Sequence, residues 1–547
     1  MLVLLLSIFL SPGCLSVDPP ILTLPSGKVQ GHYLTSRAGD PFLAYEGIPY
    51  GLPPVDTLRW LPAFPADPWE GVRNCSETPP MCIQSGYYTM WDPDVVFGQE
   101  DCLYLNVYTK SQGEEAGSVP SLPVMVFVHG GGLYFGDGGR ATYGPEFLMD
   151  QMVVLVTLNY RLDMLGFLSL DTGEISGNQG LRDQTLALQW VRDNIHIFGG
   201  DQNKVTLFGE SAGSWSVTHH LLSPLSDGLF RAAIGQSGAL LGYAYPSLSR
   251  EEAKQEGLGL ASHLGCYSGQ EDGDVVLSCL RELEIEDMIR TSVKIGFLIR
   301  GNVDPMADFG PILPLDPMEM LELGMVNKVS VVLGTNNAES LNWMPWIMKY
   351  PGLLDTYDEN WDIMGTQLMF VKNPAKKGSD FGPHDVERAR AAKAFYFDGE
   401  VTGEKLAELV DLVTDTKFLY GVHSMVDGLA PWVPVYQYML SFRDNTSLSG
   451  SPYEEFGVAH ADDLYYLFNA FGADYSGWSE QNLKTSHRLC EMWGNFARSL
   501  DPSLEGEWEG VKEGDHRYLN IGDELVMERS QEYVDRMGFW DYLGRGV

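Results

Sequence analysis

The sequence predicts an α/β protein built on a large, mostly parallel central sheet with helices on both faces. Four apolar runs, at residues 124–128, 153–158, 205–208 and 329–333, have the length of buried strands. Between the second and third runs, residues 181–198 carry apolar side chains at helical spacing. Strand, helix, strand is the pattern of a parallel sheet that helices cover on both faces.

The chain has 547 residues, a length that on average corresponds to several domains. No repeat of 20–50 residues is visible, and the polar stretches 111–121 and 373–385 resemble surface loops rather than linkers. We therefore predict one large domain with insertions, covering residues 17–547.

The amino-terminal segment resembles a secretory signal peptide with a short apolar core. Residues 2–10 are apolar and are followed by small residues, which places the predicted cleavage near Ser16 and the signal peptide at 1–16. Nine apolar residues are too few to span a bilayer. No later run of about 20 apolar residues occurs, and the carboxyl terminus has no hydrophobic anchor tail. These features predict a secreted, extracellular protein without a membrane span.

Two glycosylation sequons fit this prediction, at Asn74 and Asn445. Six cysteines remain once Cys14 is removed with the leader. Cys82 and Cys102 bracket 19 residues, and Cys266 and Cys279 bracket 12, so each pair suits a local disulfide. Spacing alone does not decide the pairing.

The other two cysteines are Cys75 and Cys490, and their role stays open. No Cys-x-x-Cys pair occurs, so we predict no metal site and no cofactor.

The net charge is −38, which excludes direct nucleic-acid binding because that needs a basic surface. The excess of acidic residues either keeps the protein soluble or attracts cationic ligands into a cleft. The composition does not distinguish between these two interpretations.

Ser211 lies at the centre of a Gly-x-Ser-x-Gly motif, Gly209 to Gly213. The motif follows the apolar strand 205–208 and precedes a helix-like stretch at 212–222, which is the context of a nucleophile elbow. The helix amino terminus behind the serine adds positive dipole where negative charge develops. We predict that Ser211 is a nucleophile; a tight turn with a structural serine is the alternative.

A His-Gly-Gly-Gly segment, residues 129–132, follows the strand 124–128. Consecutive glycines expose backbone N–H groups, and such a segment supplies the oxyanion hole of lipases and esterases. We expect the N–H groups of Gly131, Gly132 and Ala212 to face the developing oxyanion. A flexible glycine loop is the alternative, and we expect His129 to be structural.

These motifs belong to a recognisable set. The chain resembles the type-B carboxylesterases and cholinesterases of the α/β-hydrolase fold over nearly the whole mature chain, most closely a secreted general carboxylesterase. The resemblance rests on GIPY at 47–50, EDCLYLN at 100–106, HGGG at 129–132, NQGLRDQ at 178–184, FGESAG at 208–213 and QSG at 236–238. It implies a deep active-site gorge and the disulfides Cys82–Cys102 and Cys266–Cys279.

In α/β-hydrolases the chain order is serine, acid, histidine. Glu339 lies in the loop after the strand 329–333, and it resembles the triad acid of the family. Several histidines follow, and His460 begins a segment, HADDL, that resembles the histidine segment of the family. Through the resemblance, Ser211, Glu339 and His460 form a triad that cleaves carboxylic esters by an acyl-enzyme.

The resemblance assigns two supporting residues and an uncertain substrate pocket. Glu210 and Ser237 match positions behind the triad. Trp91 resembles the cholinesterase tryptophan that binds a quaternary ammonium group, although its loop is shorter here. Phe309 resembles one of two aromatic residues of the acyl pocket, and Trp343 resembles one of the aromatic pair behind the acid in cholinesterases. In each case the second aromatic residue is missing here.

A serine carboxylesterase for small-molecule esters is therefore the predicted function. The alternatives are a cholinesterase-like enzyme and a non-catalytic binding or adhesion protein on the same fold. Relatives of the adhesion type usually carry a transmembrane helix and a broken triad, and this sequence has neither. The natural ester, its acyl length, the physiological role and the oligomeric state do not follow from the sequence.

Overall fold

We describe a computed structural model of the chain. It describes residues 19–86, 92–111, 121–242, 246–344, 347, 349–350, 352–370, 382–443, 447 and 454–546. The predicted signal peptide, Trp91 and the Asn445 sequon lie outside the described residues, and for Trp343 only the backbone is described.

Eighteen strands occur in the described residues, and eleven of them form one sheet. The strands are β1 Ile21–Leu24, β2 Gly27–Gln30, β3 His32–Thr35, β4 Pro41–Pro49, β5 Val72–Asn74, β6 Gln84–Ser85, β7 Val96–Phe97, β8 Tyr104–Thr109, β9 Leu122–Val128, β10 Tyr143–Gly144, β11 Val154–Leu158, β12 Gly200–Glu210, β13 Ala232–Gln236, β14 Ser330–Asn336, β15 Val435–Leu440, β16 Asn469–Ala470, β17 Tyr518–Ile521 and β18 Leu525–Glu528.

Among the described residues the first α-helix follows β11, and from there helices separate the parallel strands β11 to β15 along the chain. The helices are α1 Asp163–Phe167, α2 Gln179–Asn194, α3 Ala212–Leu222, α4 Arg250–His263, α5 Gly273–Arg281, α6 Ile285–Lys294, α7 Pro317–Glu322, α8 Leu353–Glu359, α9 Trp361–Met369, α10 Pro383–Phe397, α11 Leu406–Thr414, α12 Tyr420–Leu429, α13 Leu464–Leu467, α14 Glu480–Ser499 and α15 Gln531–Gly546.

The central sheet has the order β18-β17-β15-β14-β13-β12-β9-β11-β8-β4-β3. Its middle seven strands, β17 to β11 in this order, pair in parallel. The outer strands β18, β8, β4 and β3 pair antiparallel at the two edges. The four strands expected from apolar runs are β9, β11, β12 and β14, and all are parallel members of this sheet. The α/β-hydrolase fold class is confirmed.

Strand β9 shows why its sequence is apolar without interruption. Val124 and Val126 face one hydrophobic cluster, which contains Leu188 of α2, whereas Met125 and Phe127 face another on the opposite side. The second cluster includes side chains of α14. A strand with helices on both faces needs an apolar side chain at every position.

Between β14 and β15 the chain forms helices α8 to α12. Helices α8 to α11 build a third hydrophobic cluster together with α15, whereas the buried apolar side chains of α12 belong to the cluster that contains Leu188. A π-helical segment, Asp415–Leu419, joins α11 to α12. The prediction of a surface loop over 373–385 is wrong at its end, because α10 begins at Pro383 and contains His384. Residues 373–381 lie outside the described residues.

Both disulfides implied by the resemblance are present. Cys82 bonds to Cys102 and Cys266 to Cys279, with Cα–Cα distances of 4.9 and 5.5 Å. Cys75 and Cys490 are free thiols and are buried. Within the described residues, no helix combines the length and the apolar character needed to cross a bilayer.

Candidate active site

The nucleophile motif forms a sharp turn between β12 and α3. Ser211 has φ 57° and ψ −120°, a conformation that non-glycine residues seldom adopt and that costs about 1–3 kcal/mol. The turn is fixed by a hydrogen bond of 2.8 Å from the Ser211 N–H to the carbonyl of Gln236. A second bond, of 2.9 Å, runs from the Trp215 N–H to the Ser211 carbonyl. The backbone is thus strained at the serine and held on both sides.

The glycines around the serine are needed because the backbone passes too closely for a side chain. A Cβ atom on Gly213 would overlap the carbonyl oxygen of Val128 in β9. A Cβ atom on Gly238 would overlap the carbonyl oxygen of Ser211 itself. The elbow is therefore packed directly against the end of β9 and the turn that follows β13.

The glycine segment after β9 lies against this elbow. A Cβ atom on Gly130 would lie 3.0 Å from the Ser211 Cβ. Gly131 and Gly132 have positive φ values of 100° and 63°, and the Gly131 carbonyl accepts bonds from Tyr134 and Phe135. The N–H groups of Gly131, Gly132 and Ala212 make no hydrogen bond to another described residue. Three backbone donors therefore remain available beside the serine.

His129 begins this segment but does not face the reaction site as a base. Its Nδ1 lies 2.8 Å from the Gly130 carbonyl oxygen, and its ring stacks on Tyr160 at 4.4 Å. Burial lowers the pKa of His129 to about 4, even though the hydrogen bond to Gly130 acts in the opposite direction. These contacts fit the expected structural role of His129.

Glu339 and His460 meet at the carboxyl-terminal edge of the sheet. Glu339 follows β14, and its Oε2 lies 2.7 Å from Nδ1 of His460. The other carboxylate oxygen, Oε1, accepts the Asn336 N–H at 2.7 Å. The backbone of His460 is held too, because its carbonyl accepts the side-chain amide of Asn342 at 2.8 Å. Both side chains are buried.

The second ring nitrogen of His460 faces another carboxylate. Its Nε2 lies 3.2 Å from Oε1 of Glu210, the residue before the serine, and the ring of Phe418 lies 4.5 Å away. Burial alone would lower the pKa of His460, but Glu210 and Glu339 outweigh it and raise that pKa to about 9. Burial raises the pKa of Glu210 to about 8. The charge of His460 opposes this shift, whereas the negative charges of Asp463 and Glu339 add to it.

With this geometry in view, the comparisons with known proteins are decisive. A family model described as "Carboxylesterase family" matches residues 18–540. The chain belongs to the carboxylesterase family.

Relatives that are named as esterases align with nearly the whole chain. A juvenile hormone esterase of Tribolium castaneum is 32% identical, over 95% of this chain and 93% of its own length. Carboxylesterase 1D of Rattus norvegicus is 34% identical, over 96% of this chain and 93% of its own length. The crystal structure of juvenile hormone esterase from Manduca sexta, with OTFP covalently attached, has a TM-score of 0.83. It is 25% identical and covers 97% of this chain and 100% of that one. The protein is a carboxylic ester hydrolase of the serine hydrolase type.

Behind the histidine of this carboxylesterase lies a buried polar network that the sequence did not indicate. Oδ2 of Asp463 accepts the side-chain amide of Gln236 at 2.6 Å, and Oε1 of Gln236 accepts the indole N–H of Trp493 at 3.1 Å. Burial raises the pKa of Asp463 to about 6. Asp463 belongs to the HADDL motif and Gln236 to the QSG motif. The motifs therefore identified both residues but did not indicate that their side chains are in contact.

The remaining predicted positions are less informative. Ser237 is buried, has φ 58°, and its hydroxyl finds no hydrogen-bond partner among the described residues. Phe309 is 47% exposed and packs edge-on against Phe64 at 6.4 Å. Trp343 ends the 3-10 helix that starts at Glu339. No described hydrogen bond or ring contact joins Ser237 or Phe309 to Ser211.

Proposed function

We propose that Ser211, Glu339 and His460 are the triad of this esterase, on the strength of the 2.7 Å bond between His460 and Glu339 beside the strained serine. Ser211 Oγ attacks the ester carbonyl carbon while His460 takes its proton. His460 then protonates the departing alkoxide, which leaves an acyl group on Ser211. Water, activated in the same way, releases the acid. Glu339 holds the ring with Nδ1 protonated and stabilises the imidazolium.

Gly131, Gly132 and Ala212 form the oxyanion hole in this proposal. Their N–H groups have no other described acceptor, so they need no rearrangement to bind the oxygen that becomes negative. Each preorganised donor of this kind contributes about 3 kcal/mol to transition-state stabilisation.

The proposed substrate is an ester without a cationic group. At the position where an aromatic residue stands in cholinesterases, this chain has Asn342, whose amide is bound to the backbone of His460. The oxyanion segment begins with His129 rather than tyrosine. A narrower activity on juvenile hormone is a second candidate, because two relatives in the comparisons carry that name.

We also propose secretion, with cleavage of the leader near Ser16 and the rest of the chain forming one catalytic domain. Two disulfides support passage through an oxidising compartment. The side chain of Asn74, at the end of β5, is exposed and therefore accessible to glycosylation. Glycosylation at Asn74 and Asn445 belongs to this proposal. Recovery of the processed chain from the culture medium, with a mass that falls after deglycosylation, tests it.

The deciding experiment compares p-nitrophenyl butyrate, acetylthiocholine and juvenile hormone as substrates of the secreted protein. Replacing the nucleophile in Ser211→Ala should lower kcat for the aryl ester by about 10⁶-fold. Ser476→Ala, at an exposed serine, is the matched control. A folded Ser211→Ala protein that retained turnover would refute the triad. Thiocholine release as fast as p-nitrophenol release would refute the neutral-ester preference.

A further inference from the structure

A second cluster of titratable side chains lies outside the catalytic site, where three separate elements meet. His423 and Asp427 are one turn apart on α12. His516 comes two residues before β17, and Asp541 lies on α15. The innermost side chain, His423, is 1% exposed, whereas His516 and Asp427 are 23% and 39% exposed. The cluster is therefore open to the solvent on one side and closed at His423.

The ligand-type atoms converge without bonding to one another. His423 Nε2 lies 3.7 Å from Oδ2 of Asp427 and 3.8 Å from Oδ2 of Asp541. His516 Nδ1 lies 3.8 Å from Oδ1 of Asp427. One donor atom each from His423, Asp427 and His516 lies within 4.8 Å of the other two. These separations are too long for hydrogen bonds.

His423 Nε2 is the observation that needs an explanation. It is a buried nitrogen without a hydrogen-bond partner among the described residues, and it points toward the carboxylates. The other ring nitrogen, Nδ1, lies 3.1 Å from the Tyr533 hydroxyl, which also accepts the side-chain amide of Gln437 at 2.8 Å. A histidine that ligates a metal typically donates its second ring N–H to an acceptor, and the Tyr533 hydroxyl oxygen is placed to accept it from Nδ1.

We propose that His423, His516 and Asp427 bind a divalent transition-metal ion, with Zn²⁺ the ion that fits best. Two imidazole nitrogens and a carboxylate oxygen are a set of ligands that zinc commonly takes, and Asp541 or water completes the coordination. Ligands of a tetrahedral zinc lie about 3.4 Å apart for bonds near 2.1 Å. The separations of 3.7 and 3.8 Å involve different oxygens of Asp427, and a set with one donor atom per residue lies within 4.8 Å, so metal binding draws the three ligands together by at most about 1.4 Å.

This site differs from the type that the cysteine pattern excluded. The ligands are histidines and a carboxylate. His423 and Asp427 are four residues apart, but His516 follows His423 by 93 residues, so local spacing does not reveal the full set. The bound ion ties α12 to the segment before β17 and, through Asp541, to α15. Its role is to hold these carboxyl-terminal elements together rather than to take part in ester cleavage.

The test measures Zn²⁺ binding to the complete secreted protein, purified without a histidine tag and stripped with a chelator. Isothermal titration calorimetry should show one site, and Zn²⁺ should raise Tm by about 3 °C or more at saturating concentration. His516→Ala and Asp427→Asn change partly exposed residues and should each weaken this binding by about 100-fold. Co²⁺ in place of Zn²⁺ gives an absorption spectrum that reports nitrogen and oxygen ligands directly.

The controls separate this site from general attraction to an acidic protein. His384→Ala removes a histidine that is 72% exposed and remote in sequence from the cluster, and it should bind Zn²⁺ like the unchanged chain. Mg²⁺ in excess should not displace Zn²⁺, because Mg²⁺ prefers oxygen ligands. Equal Zn²⁺ affinity in all four proteins, or no stoichiometric binding in the unchanged protein, would overturn the proposal.

Discussion

Ser211 and the Glu339–His460 pair lie at the same edge of the sheet but are held by different means. Ser211 is fixed by backbone hydrogen bonds and by glycines that allow close approach of β9 and the turn after β13. His460 is fixed by side chains: Glu339 on one nitrogen, Glu210 near the other, and Phe418 against the ring. Position is therefore set by backbone packing at the serine, and protonation by buried carboxylates at the histidine.

Of the substitutions that test this difference, one in the Glu339–His460 pair should have the largest effect. In Glu339→Gln the amide keeps the shape of the carboxylate but carries no negative charge. Neither its NH₂ group nor its neutral oxygen therefore stabilises a protonated Nδ1 and the charged imidazolium as the carboxylate does. We expect kcat to fall about 10⁴-fold.

Steady-state kinetics on p-nitrophenyl butyrate measure this loss, and a thermal melt establishes that the variant is folded. Glu282→Gln, at an exposed carboxylate, serves as the control. A loss smaller than tenfold in folded Glu339→Gln would show that another group orients His460.

Gly213→Ala tests the backbone packing that holds Ser211 in place. The added methyl group overlaps the carbonyl oxygen of Val128, and neither backbone can yield without disturbing the elbow or β9. We expect the free energy of unfolding to fall by about 3 kcal/mol, with activity lost in the folded fraction.

Urea denaturation measures the change in stability. The control is Gly538→Ala on α15, where a Cβ atom meets nothing within 4 Å and alanine favours the helix. If Gly213→Ala were as stable as that control, the close packing of the elbow on β9 would be wrong.

The same division explains what the sequence could reveal. The elbow depends on neighbours within a few residues, so β12, Ser211 and the exact helix bounds Ala212–Leu222 followed from local pattern. Glu339 and His460 followed from chain order and from motif resemblance. The contact of Asp463 with Gln236 spans 227 residues, and that of Phe418 with His460 depends on a π-helical segment, so local pattern could not indicate either.

Two expectations about the surroundings of the site remain predictions. Trp91 lies outside the described residues, and Phe309 packs on Phe64 at the surface. Substrate pockets are lined by side chains from many loops, and a single aromatic residue in a loop is recognisable by type but not by direction. Resemblance thus led to the contact between Glu339 and His460, whereas it did not indicate which side chains line a substrate pocket.

The smallest predicted effect concerns pH, and it separates the two carboxylates around His460. The histidine must be neutral to accept the serine proton, so activity falls as pH drops through its pKa. Glu210 raises that pKa toward about 9, against the effect of burial. Glu210→Gln removes the negative charge and keeps the shape, so the pKa of His460 should fall. We expect the acid limb of kcat/KM to move to lower pH by about one unit or more, with a modest change in maximal rate.

The pH profile of p-nitrophenyl butyrate hydrolysis, beside that of Glu282→Gln, measures this shift. An acid limb that stays in place or moves to higher pH would show that Glu210 does not control the protonation of His460, leaving Glu339 as the carboxylate that does.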